Sequence, residues 1–79
     1  MSIRNFDIRF TQQERERLGQ RVKILRENEG LTQEQLANEV GISKVSIWEV
    51  ETAQKDYRID TLLAILKYFG KTLNIRELK

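Results

Sequence analysis

Residues 31–51 read LTQEQLANEVGISKVSIWEVE, and their spacing predicts two short helices joined by a tight turn. Thr32 and Gln35 stand three apart as in a capping box, the hydroxyl taking an orphan amide while the Gln side chain reaches back. Leu36, Ala37 and Val40 then recur at helical spacing. Gly41 follows where a helix needs a residue that tolerates a left-handed backbone. Ile42 is the apolar plug of the turn, and Ser43 is a good cap for a second helix from about Ser43 to Thr52.

On a wheel of about 100° per residue, Ile47, Val50 and Glu51 cluster on one side of that second helix. Val45, Glu49 and Thr52 centre on the other; Lys44 and Trp48 take one flank and Ser46 the opposite one. Packing claims Ile47 and Val50 and leaves a mixed polar face outward, which is what reading a DNA major groove requires. A surface corner between two helices has the same apolar spacing, so this stretch alone leaves both readings open.

Outward from this pair, Thr11 and Glu14 form another capping box, and a helix is expected from near Gln12 to Asn28, closed by Gly30. Its apolar stripe is Leu18, Val22 and Leu25; Arg15, Arg17, Arg21 and Lys23, mixed with Glu14 and Glu16, read as a solvated face of helical ion pairs. On the other side, residues 53–58 (AQKDYR) read as a polar loop. Asp60 and Thr61 open a core helix with Leu62, Ile65, Leu66 and Phe69 at the i, i+3, i+4, i+7 positions, ended by Gly70. Leu63 and Tyr68 fall beside that stripe and are candidates for a subunit interface.

The two ends carry a different period. Leu73 and Ile75 alternate with Thr72, Asn74 and Arg76, which predicts a strand from Lys71 to Arg76; a short helical ending is the alternative. A lone strand leaves its edges unpaired and needs a partner. The candidates are the alternating Phe6–Phe10 segment and the same strand of a second subunit. The expected organisation is therefore an N-terminal arm over 1–10, a helical domain over 11–70 and a dimerisation strand over 71–79.

At 79 residues this is one small domain, marginal alone and helped by dimerisation. Cys and His are both absent, which removes disulfides, thiol nucleophiles, imidazole bases and the usual metal ligands. We therefore expect no enzyme, no cofactor and no metal. No apolar run approaches a membrane span or signal sequence, so a cytoplasmic protein is expected. A formal charge of +2 permits nucleic-acid binding without arguing for it.

Leu18-Gly19, Arg26, residues 30–37 (GLTQEQLA), Val40 to Ser43, Ser46-Ile47 and Glu51 resemble the Xre/Cro/phage-repressor class of helix-turn-helix domains. The resemblance covers about residues 15–69 and implies an all-α, lambda-repressor-like bundle of four main helices that binds double-stranded DNA. It implies that Gln33 clamps a phosphate and that Lys44, Val45 and Glu49 read bases. Ser43, Ser46, Thr52 and Lys55 would hold the backbone, and Arg26 would pair with Glu51 as a structural ion pair. Lys44 stands where the family usually has Gln, Ala53 where it often has Gly, and Tyr57 where Pro is common. Trp48 is unusual on an outward flank. It would lie along the sugar-phosphate wall, meet a thymine methyl, or pack against the neighbouring helix or a partner protein.

Residues 57–62 (YRIDTL), Ile65-Leu66, Phe69-Gly70 and Leu73-Asn74-Ile75 further resemble HipB-type antitoxins, in which a short strand follows the helical domain and pairs across a dimer. That likeness implies a homodimer joined through Leu63, Leu73 and Ile75. It also implies a palindromic operator, autoregulation and a HipA-type Ser/Thr kinase toxin as partner. The alternatives are a phage-type or stand-alone repressor without a toxin, and a helix-turn-helix protein-interaction module.

Overall fold

The computed structural model describes residues 11–73, and over these the chain is four helices with no strand. They are α1 (Gln12–Asn28), α2 (Gln33–Val40), α3 (Lys44–Thr52) and α4 (Ile59–Tyr68). The expected arm over 1–10, Ile75 and the rest of the tail lie outside the described residues.

Local chemistry starts three of these helices. Thr11 and Thr32 each complete a reciprocal capping box, with Glu14 and Gln35 respectively, and Ser43 accepts from the Ser46 amide. The turn between α2 and α3 is closed by Gly41 at φ 87°, where it and Ile42 both donate to the Ala37 carbonyl. At the end of α3 the left-handed position is taken by Ala53, at φ 53°, in place of a glycine. α4 begins without a side-chain cap.

The core is one cluster drawn from every helix: Val22 of α1, Leu36 of α2, Ile47 and Val50 of α3, and Leu62 and Ile65 of α4 are fully buried. Burying an aliphatic side chain of this size contributes about 1.5–3 kcal/mol. α3 packs against both α1 and α2. At the α1–α3 crossing, a Cβ on Gly19 would stand 2.1 Å from the Val50 carbonyl oxygen and 3.2 Å from that of Glu51. Only a glycine lets the two backbones meet there.

Two expectations are corrected. The strand expected over Lys71–Arg76 is absent from its described part, Lys71 to Leu73. Lys71 instead donates its amide to the Leu66 carbonyl at 2.8 Å, and Leu73 packs against the core. A strand persists only when a neighbouring edge satisfies its backbone, and no strand is present among the described residues to offer one.

The second correction concerns Arg15, which is buried rather than solvated. Its guanidinium donates to the Tyr57 carbonyl at 3.3 Å, lies 5.4 Å from the Tyr57 ring centroid and pairs with Asp56 at 3.4 Å. The Tyr57 hydroxyl returns a bond to the Arg15 carbonyl at 3.0 Å. The polar-looking loop after α3 is thereby fastened to α1. Gln12 adds to this by donating to the Ala53 carbonyl at 2.8 Å.

Candidate nucleic-acid interface

The outward face of α3 follows from what its other face buries. Ile47, Val50 and Glu51 point into the domain, so Lys44, Val45 and Thr52 are exposed, while Ser46 and Glu49 are half-buried. Val45 is 61% exposed, a degree that leaves its side chain available to an apolar partner such as a thymine methyl. Lys44 occupies the first turn of α3, where no acid accompanies it, so its charge adds to the positive end of the helix. Lys55 is exposed in the loop beyond the helix.

Several hydroxyls at this face already have local partners. Ser43 caps the helix and its Oγ lies 2.9 Å from that of Ser46. Thr52 donates to the Trp48 carbonyl at 2.8 Å. A hydroxyl is both donor and acceptor, so these bonds orient the groups without exhausting them.

Trp48 is 39% exposed on the flank of α3. It borders a cleft lined also by Glu16, Gln20 and Lys23 of α1, Gln33 of α2, and Glu51 and Thr52 of α3. Arg26 closes the bottom of this cleft with a fork: its Nε donates to Glu51 Oε2 at 2.6 Å and its Nη2 to Oε1 at 3.1 Å. Nη1 donates to the Leu31 carbonyl at 2.8 Å. Glu51's side chain is 2% exposed. The bond from the Glu51 carboxylate holds the Arg26 guanidinium even more firmly protonated than usual, against the opposing effect of burial.

Gln33, the first residue of α2, joins this network by donating from Nε2 to Glu51 Oε1 at 3.0 Å. That bond spans 18 residues and matches no local periodicity, so sequence reasoning missed it. Of the other residues named from sequence, Leu63 is 40% exposed on α4. Leu73 is half-buried beside an apolar groove bounded by Leu18, Ile24, Leu25 and Leu66.

Two short helices at this geometry, the second buried on one face and open on the other, meet a direct comparison: residues 17–77 match the model of the helix-turn-helix domain. The chain belongs to that family. It is a helix-turn-helix domain of the Xre/Cro-like kind, a family of DNA-binding regulators, with α2 and α3 as its motif helices. No curated protein and no solved structure matches the chain.

Proposed function

We propose that this protein is a sequence-specific transcriptional repressor that binds a palindromic double-stranded DNA operator as a homodimer. The observation that carries the reading is the division of α3, with Ile47, Val50 and Glu51 inward and Lys44, Val45 and Thr52 outward. Lys44, Val45 and Glu49 would contact base edges, and Gln33, Ser43, Ser46, Thr52 and Lys55 the sugar-phosphate backbone. Glu49 would accept from a cytosine amino group, the base-edge pairing usual for a carboxylate. Repression would be steric, with two recognition helices in major grooves about one helical turn apart. The protein would be cytoplasmic and would perform no chemistry of its own.

Dimerisation would use the apolar side chains of Leu63, Leu73 and Ile75. The exposure of Leu63 and the apolar groove at Leu73 support this placement. The sequence likeness over Tyr57–Leu62 and Leu73–Ile75 supports an autoregulating antitoxin that also holds a HipA-type kinase toxin. A stand-alone repressor without a toxin shares every DNA contact. Sedimentation across a range of concentrations tests the dimer: Leu73→Lys is expected to leave a folded monomer, and an unchanged dimer would reject this interface.

A protein-interaction module is the second reading, favoured by the exposed Trp48 and Val45. The discriminating experiment is a titration against the DNA upstream of the protein's own gene and against scrambled duplex, at two salt concentrations. Tight, salt-sensitive binding that prefers the upstream fragment supports the repressor. Weak and equal binding to both duplexes supports the interaction module.

A further inference from the structure

We infer that Glu51, buried behind the recognition helix, is a positioning residue for DNA binding: it aims the Gln33 side-chain amide at the phosphate. This rests on the reading that Gln33 meets a DNA phosphate. It adds a function to a carboxylate whose evident role is to hold the fold.

The geometry begins with Arg26. Its guanidinium engages both Glu51 oxygens at 2.6 and 3.1 Å and the Leu31 carbonyl at 2.8 Å. The carboxylate is thus fixed between the end of α1 and the end of α3 and is 2% exposed. Gln33 Nε2 meets its Oε1 at 3.0 Å. A carboxylate only accepts, so the Gln33 amide must turn its NH2 toward Glu51; the flipped amide would set two acceptors face to face. The NH2 group has two protons. One goes to Glu51 and the other remains for an anionic acceptor at the half-exposed start of α2.

Arg26 matters to this in a second way. It neutralises Glu51, so the amide is held by a carboxylate that presents little net charge to an approaching phosphate. A glutamine side chain loses much rotamer freedom when ordered, and here that ordering precedes DNA binding.

The inference fixes a sign. Removing a negative charge beside DNA would by itself strengthen binding, whereas loss of the Gln33 anchor weakens it. In Glu51→Gln, which keeps the shape, the single carbonyl oxygen goes to the charged Arg26 fork and the new NH2 faces that of Gln33. Binding to every duplex is therefore expected to fall by about tenfold, the value of one charge-assisted hydrogen bond. Gln33→Ala is expected to cost the same, and the double variant little more. In Gln33→Ala the slope of affinity against salt stays unchanged, because Gln33 carries no charge.

The nitrogen-15 spectrum of the free protein supplies a readout independent of DNA: the Gln33 side-chain amide protons shift toward random-coil positions in Glu51→Gln as their carboxylate acceptor is lost. If Glu51→Gln weakens the fold, Arg26→Met with Glu51→Met replaces the buried pair by apolar side chains and serves as the second background. Gln33→Ala is expected to cost less than about twofold there. Tighter binding by Glu51→Gln, an unmoved Gln33 amide signal, or an equal cost of Gln33→Ala in both backgrounds would overturn the inference. If Gln33→Ala leaves wild-type affinity intact on all duplexes, the phosphate contact itself falls, and the inference with it.

Discussion

Tyr57 and Arg15, 42 residues apart, each donate a hydrogen bond to the other's main-chain carbonyl, at 3.0 and 3.3 Å. The exchange joins the loop after the recognition helix to the first turn of α1. Tyr57→Phe deletes one of the two bonds and is expected to cost about 1 kcal/mol in urea unfolding. It also has a pH signature. Burial pushes the Tyr57 hydroxyl up to about 12, partly opposed by the Arg15 charge. An unfolded tyrosine ionises near pH ~10. Between these values the unfolded chain releases a proton that the folded chain keeps, so this contribution is whole below about pH 10 and is lost as the pH rises toward 12. Unfolding of wild type and Tyr57→Phe compared across that window shows the difference narrowing with pH; a constant difference would reject the assignment.

Arg26→Met alone strands Glu51 with only Gln33 as a side-chain partner, and is expected to destabilise by about 3 kcal/mol. The paired Arg26→Met and Glu51→Met replacement is expected to recover most of that loss, since the desolvation of both charges disappears with them. Chemical denaturation of the three proteins at one pH measures it. A double variant as unstable as Arg26→Met would show that the ion pair contributes net stability.

Ala53 is the one non-glycine residue with positive φ among the described residues, and it is 1% exposed. Ala53→Gly relieves a left-handed strain of about 1–2 kcal/mol but gives up a buried methyl and adds freedom to the unfolded chain. These terms nearly cancel, and a gain of less than about 1 kcal/mol is expected. Ala53→Val adds both bulk and β-branching at the same φ, and a loss above about 2 kcal/mol is expected. Thermal melts of the pair separate backbone strain from packing.

On DNA, Lys44→Ala and Glu49→Ala should change which base is preferred at individual operator positions, while Gln33→Ala weakens all sites together. If Lys44 also meets a phosphate, Lys44→Ala lowers the salt slope by about 0.9 per half-site. Titrations on a panel of single-base operator variants decide this. Equal losses on every variant for all three substitutions would sink the division of roles.

What could be read from the chain alone followed from how local each signal was. The capping boxes at Thr11 and Thr32 and the glycine at position 41 act within a few residues, and the expected helix starts and turn stand in the structure. The inward side of α3 was equally legible, because Ile47, Val50 and Glu51 recur at helical spacing. The loop over residues 53–58 was not. Its composition is polar, yet Tyr57 is buried through a contact 42 residues away, and no window of periodicity spans that distance. Arg15 was misread for the same reason: a charged residue on a charged helix face shows its buried partners only in three dimensions. The tail's alternation was a real pattern but an incomplete one, since a strand is a property of pairs.

Gly19 gives the domain a hard stop. Where most helix pairs meet through side chains that can yield, α1 and α3 here meet main chain to main chain. The height at which the reading helix stands above the domain is therefore set by the smallest residue behind it rather than by the larger residues on its exposed face. On the proposed reading, in which Lys44, Val45 and Glu49 meet the bases, those residues can be exchanged to address a new site without altering that height. The address can be rewritten while the mount stays where it is.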